Sequence, residues 1–198
     1  MAINSVRSSS LSTGVKSSNL WDSDTQQGAF HPIATQTLTS SGDVYFTNIP
    51  QTFQDLFISV SGRSNQTASQ GGYFLGFNGN YGGNSNYSTT TLLANSSSVS
   101  STRQTSQSGL WGDGFIPALS SRAGVFGAMN MHILNYANTT NFKTYLMQCA
   151  SDTDGSGNTS ITVGTWRQTS AISTIYLTPS ISFVAGSTIS LYGIRAGS

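Results

Sequence analysis

Two histidines, one cysteine and seven aspartates are the side chains of this 198-residue protein best suited to acid–base, nucleophilic or metal chemistry. Nucleophilic catalysis needs a base held beside a hydroxyl or thiol, and only His31 and His132 are present to serve. His31 precedes Pro32, while His132 lies in Met129-Asn-Met-His-Ile-Leu134, where strand alternation sets it on the other face from Met131 and Ile133. No nucleophile-elbow motif accompanies the many serines. With Cys149 the single thiol, a structural zinc site lacks ligands. Asp152-Thr-Asp-Gly-Ser-Gly-Asn158 is rich in oxygen ligands, but it lacks the closing glutamate of a calcium loop and reads as a hairpin tip. Glycoside hydrolysis requires two carboxyls on rigid elements across a cleft. The close pairs here, Asp22/Asp24 and Asp152/Asp154, sit in a polar leading segment and at that tip. The residues therefore point to no catalytic centre, no metal and no cofactor.

Aromatic side chains suit binding better. Tyr73, Tyr81, Tyr87, Trp111 and Trp166 can offer flat faces to sugar rings, with Asn and Ser nearby for hydrogen bonds. Tyr81 falls in the turn Asn78-Gly-Asn-Tyr-Gly-Gly83, which should hold it out to solvent, whereas Trp166 in Thr165-Trp-Arg-Gln168 reads as core or subunit interface. Tyr81, Tyr73 and Trp111 are the candidate glycan contacts.

The elements that would carry these residues are strands. Charged residues are 8% of the chain, all seven acids are Asp, and Lys occurs only at Lys16 and Lys143. Glu and Lys favour helix surfaces and are nearly absent, while 36% hydrophobic content supplies a core. From Ile33 onward, short apolar runs alternate with turn clusters. Expected strands include Ile33–Thr39, Val44–Ile49 (ended by Pro50), Leu56–Ser61, Tyr73–Phe77 and Tyr87–Leu93. The Ser-rich stretch Asn95–Ser108 is either a long surface loop or an edge strand, and Leu110–Pro117 opens the next segment. Val125–Tyr136 and Phe142–Cys149 suit central strands, followed by Ile161–Trp166, Ile172–Thr178 and a closing strand in Ala185–Arg195 carrying Ile189, Leu191 and Ile194. About ten strands and no helix imply an all-β protein, an antiparallel β-sandwich of the jelly-roll kind. Residues 33–198 form this sandwich; residues 1–32 are an extended N-terminal arm, in which Leu11, Val15, Leu20 and Trp21 are the anchors for a neighbouring molecule.

Charge and hydropathy narrow the setting. Net charge is +1, and Arg7, Arg63, Arg103, Arg122, Arg167 and Arg195 are spread singly, so no basic stripe is available for nucleic acid. No run approaches 18 consecutive apolar residues and no hydrophobic leader opens the chain, so membrane insertion and that route of secretion are not expected. A lone Cys149 in the apolar run Tyr145–Ala150 reads as a buried thiol of a protein that folds in a reducing cytoplasm.

Several segments resemble virion structural proteins of tailed bacteriophages, a tail-fibre-like β-sandwich group common in marine and cyanobacterial phages. They are Asn48-Ile-Pro-Gln-Thr-Phe-Gln-Asp-Leu56, Ser61-Gly-Arg-Ser-Asn65, Phe77-Asn-Gly79, Ile133-Leu-Asn-Tyr-Ala-Asn138 and Trp166-Arg167. Ala171–Pro179 and Phe183–Ile194 continue the match in consistent order, from residue 33 to 196. The resemblance implies a virion location, folding in the host bacterial cytoplasm and a homo-oligomer, by analogy a trimer. It supplies no catalytic residues. The leading expectation is a non-enzymatic tail component (fibre, collar or baseplate appendage) that docks on other virion proteins through its arm and contacts a host-surface glycan. A capsid decoration protein and a carbohydrate-binding module are the alternatives, with a depolymerase behind them.

Overall fold

The computed structural model describes residues 29–83 and 85–195. Among them are twelve strands in two antiparallel sheets, with no helix. The larger sheet contains β1 (Phe30–Thr37), β12 (Thr188–Ile194), β3 (Asp55–Gly62), β8 (Gly127–Ile133), β9 (Lys143–Asp152), β10 (Gly157–Trp166), β5 (Tyr87–Asn95) and β6 (Val99–Gln107), in that spatial order. The smaller runs β2 (Val44–Phe46), β11 (Ile175–Pro179), β4 (Gln70–Phe77) and β7 (Leu110–Pro117). The antiparallel sandwich expected from the sequence is present.

Alternation explains most of these strands. β9 buries every second residue, Lys143, Tyr145, Met147, Cys149 and Ser151, and exposes those between. β3 and β8 send Leu56, Ile58, Val60, Met129, Met131 and Ile133 into the same interior. From the small sheet, Val44, Phe46, Tyr73, Leu75, Phe77, Leu110, Ile116, Ile175 and Leu177 close the core. Val125–Tyr136 and Phe142–Cys149 were expected to hold central strands, and β8 and β9 lie at the centre of the large sheet.

Several boundaries differ from expectation. The sandwich begins at Phe30, not Ile33: β1 pairs with β12 from Phe30↔Ile194 onward, so Phe30, His31 and Pro32 belong to the sheet rather than to an arm. Leu11, Val15, Leu20 and Trp21 lie outside the described residues. The strand expected over Val44–Ile49 stops at Phe46, and Asn48 turns the chain with φ of 54°. Asn95–Ser108 resolves to the edge strand β6 rather than a loop. In β12, Ile189 and Leu191 are fully buried, but the inward place after them goes to Gly193, because the Phe53 ring lies on it: a Cβ there would stand 2.3 Å from the ring. Ile194 consequently turns to the other face.

β10 reverses the usual pattern. Ser160, Thr162 and Gly164 point inward with Trp166, while Ile161 and Val163 are about half exposed. A slip of one residue would bury both aliphatics but expel Trp166. Trp166 is 1% exposed, stacks with Tyr87 at 6.4 Å, meets Phe77 at 5.5 Å and donates from Nε1 to Asn80 Oδ1 at 3.0 Å. Burial of this large ring and its indole hydrogen bond set the register.

Candidate functional site: an aromatic strip on the smaller sheet

The outer face of the small sheet carries a row of aromatic rings from edge to edge. Tyr45 lies between the inward Val44 and Phe46 of β2, and Tyr176 between the inward Ile175 and Leu177 of β11, so alternation turns both outward. The two are direct ladder partners, with centroids 4.7 Å apart. The next place in the row, on β4, is Gly76. It is empty because Tyr81 fills it from above: the turn through Asn78 (φ 51°) and Gly79 (φ 67°) folds the chain back, and a Cβ on Gly76 would stand 2.3 Å from the Tyr81 ring. Tyr81 stacks on Tyr176 at 4.9 Å and 22°. Phe74 stands edge-on to Tyr81 at 5.9 Å and meets Trp111, its partner across to β7, at 4.7 Å.

The middle of the strip is tightly seated and its ends are open. Phe74 is 8% exposed, Tyr81 and Tyr176 are half-buried, and Tyr45 and Trp111 are 50% and 43% exposed. Three strand spacings separate β2 from β7, about 14 Å. Beneath the row, Asp43 accepts from the Tyr176 hydroxyl at 2.8 Å and from Thr178 Oγ1 at 2.7 Å. Burial and then the Asp43 carboxylate push the Tyr176 phenol up, and burial followed by Tyr45 does the same for Tyr81. Both hydroxyls keep their protons well into the alkaline range, and the Tyr176 proton is held by Asp43.

Of the three glycan candidates, the structure brings Tyr81 and Trp111 onto one surface. Tyr73 is a correction. It is 1% exposed and packs under Phe183 at 6.4 Å, because its even spacing from Leu75 and Phe77 turns it inward. Its neighbour Phe74 takes the outer place. Tyr45, Tyr176 and Phe74 escaped the sequence reading, although a Tyr flanked by two aliphatic or aromatic residues in a short strand is the signal for the first two. Trp166, read as core or interface, is core.

His31, His132 and Cys149 lie away from the strip. His31 stacks on Phe53 at 5.3 Å, and His132 Nε2 lies 3.0 Å from Asp55 Oδ2, whose other oxygen accepts the Asn135 amide at 2.7 Å. Cys149 is buried between the sheets, and burial pushes its thiol up to about 12. Asp152–Asn158 forms the tip of the β9–β10 hairpin, where Asp154 pairs with Arg122. A concavity of about 650 Å³ lies beside that tip. Its floor is Ala94, Ala128 and Ala150, with Phe126 the one aromatic in its lining. Around that floor stand the polar side chains of Asn95, Ser96, Asp152, Ser156, Asn158 and Thr159, so it lacks the row of rings that the strip presents on an open face.

No family model, curated protein or solved structure matches this chain. Function rests on the residues themselves.

Proposed function

We propose that this protein is a non-catalytic structural component of a phage virion, tail-associated, whose smaller sheet attaches to a host-surface glycan. The aromatic strip carries the attachment reading. Monomeric proteins seldom leave a continuous ring-lined band on a rigid sheet, and such a band matches the apolar faces of pyranose rings while phenol hydroxyls and amides serve their rims. Two exposed rings on the opposite edge strands of a four-stranded sheet fit a glycan chain rather than one sugar.

Topology supports the virion setting. Set aside the hairpins β5–β6 and β9–β10, and the order becomes β1-β12-β3-β8 facing β2-β11-β4-β7. Early and late strands interleave in both sheets, the order that two Greek keys rolled together produce, and jelly rolls are recurrent in viral shells and lectins. The tailed-phage resemblance of the sequence adds the tail component, and residues 1–28 precede the sandwich as a segment long enough to anchor it. Fold alone carries no function, so the aromatic face is the point to test.

Binding of the full chain to bacterial surface polysaccharides on an array should be lost at least tenfold in Trp111→Ala and in Tyr45→Ala. A tenfold loss corresponds to about 1.4 kcal/mol, the scale of one stacked ring together with its buried area. Both rings are about half exposed, so both variants should keep the wild-type circular dichroism and lose about 1 kcal/mol of stability from the cross-strand ring contacts. A blank array, or variants that bind as well as the wild type, would remove the glycan reading.

A further inference from the structure

Strand β6 is poorly explained by a single copy. It ends the larger sheet, runs nine residues from Val99 to Gln107, and is exposed along almost its whole length, with Val99 at 70%. The other three sheet edges are blunted in ways that discourage further pairing. β1 carries Pro32 and a register shift beside it; β2 is three residues long; β7 ends at Pro117 and is shifted against β4. From Val99 to Gln104, by contrast, β6 pairs in unbroken register with Ala94 to Thr89. That stretch holds no proline, no lysine and one charge, Arg103. Among the described residues no strand lies beyond it.

The sheet beside this edge is also unusual. β10 and β5 turn threonines inward and aliphatics outward: Leu92 opposes Ile161, and Val163 opposes Leu146, each between 43% and 51% exposed. This end of the molecule therefore carries a single edge charge, Arg103, beside a partly apolar outer face, a weak guard against edge pairing.

We propose that β6 pairs with β6 of a second copy, antiparallel about a two-fold axis normal to the sheet and centred on Ser101, joining two eight-stranded sheets into one. The occupant follows from self-complementarity. A two-fold axis of this kind sets directly opposed residues on the same face, which places Ser101 against its own copy and Val99 against Arg103 of the second copy. The alkyl part of Arg103 then covers the most exposed aliphatic side chain among the described residues, and no two guanidinium groups meet. Centring the pair on Arg103 would oppose like charges. A foreign peptide added here would gain backbone bonds but needs pockets for its alternate side chains, and the Ser/Thr-rich flanks of β6 supply few. The overlap from Val99 to Arg103 is short, so the area is small against the roughly 1,200 Å² of a stable interface and the dimer forms reversibly. This inference is independent of the glycan reading and differs from the trimer that the phage resemblance implies.

Light scattering on the full chain across micromolar concentrations should show a monomer–dimer equilibrium. Ser101→Cys should form a disulfide-linked dimer under mild oxidation, while Thr90→Cys, one strand inward on the same face, should not; buried Cys149 does not compete. Ser101→Pro removes an edge donor, and Ser101→Lys opposes two ammonium groups at the axis. Each should weaken dimerisation at least tenfold with unchanged circular dichroism, and the lysine variant decides the matter if the proline variant fails to fold. A monomer at every concentration, a trimer, or a dimer that survives Ser101→Lys would overturn the proposal.

Discussion

Arg63 shows how a lone charge is accommodated inside this sandwich. It is 6% exposed, and its guanidinium donates to the carbonyls of Arg122 (2.7 Å), Val125 (2.9 Å), Ser121 (3.0 Å) and Leu119 (3.4 Å). The planar fork satisfies the backbone of a loop that has no ladder of its own. Lys143 follows the same rule, with Nζ bonded to the carbonyls of Asn141 and Thr169 at 2.8 and 2.9 Å. Arg63→Ala should therefore cost about 3 kcal/mol in urea unfolding and should speed amide exchange through residues 119–125, because four carbonyls lose a charged donor at once. A change below about 1 kcal/mol would show that water replaces the side chain. Nothing in the spacing of six scattered arginines distinguishes this one; only the loop folding over it does.

At the scale of elements, the hydroxyl-lined inner face of β5 and β10 depends on pairing. Thr91 Oγ1 and Thr162 Oγ1 lie 2.8 Å apart, both buried, across the ladder. Replacing one partner strands the other, while replacing both removes the need for a bond. Thr162→Val should thus destabilise by about 1–2 kcal/mol, and Thr91→Val/Thr162→Val should recover most of that loss, a coupling that a double-mutant cycle measures directly. Independent, additive losses would mean that each hydroxyl has another partner. Parity also governs the aromatic strip. Strand β4 presents two adjacent aromatics, Tyr73 and Phe74, and the choice between them was made by Leu75 and Phe77, which share Tyr73's face and bury it. The alternation rule identifies which residues share a face, but not which face meets the core when both sets are apolar.

For the whole molecule, the buried phenols and thiol link stability to pH. Burial holds the Tyr73 and Tyr145 hydroxyls well above the ordinary 10.0 and raises Cys149 from 9.0 to about 12. These groups keep their protons in the fold while the unfolded chain loses them, so the unfolded state binds fewer protons and stability falls as pH rises above about 9. Lys143 acts in the opposite sense, since burial lowers its ammonium from 10.5, but it is one group against seven, because Tyr81, Tyr87, Tyr136 and Tyr176 are raised as well. The urea midpoint should hold steady to about pH 9 and decline beyond it. Neither the Tyr73 nor the Tyr145 hydroxyl has a hydrogen-bond partner among the described residues, so Tyr145→Phe should be near neutral at pH 7 and should flatten the alkaline decline. An unchanged slope would place the alkaline loss elsewhere.

Composition and spacing alone established an all-β sandwich, the central position of β8 and β9, and a closing strand near the end of the chain. Those properties follow from local rules: scarce helix-favouring charges, period-two alternation, and turns at Gly, Asn and Pro. Tertiary structure decided the rest. Which sheet each strand joined, the seating of Tyr81 over Gly76, the outward turn of Ile161 and Val163 to keep Trp166 inside, and the place of β6 at the end of the larger sheet all depend on residues far apart in the chain competing for one interior. Local alternation cannot rank such competitors, because the burial that settles them exists only once the two sheets have met.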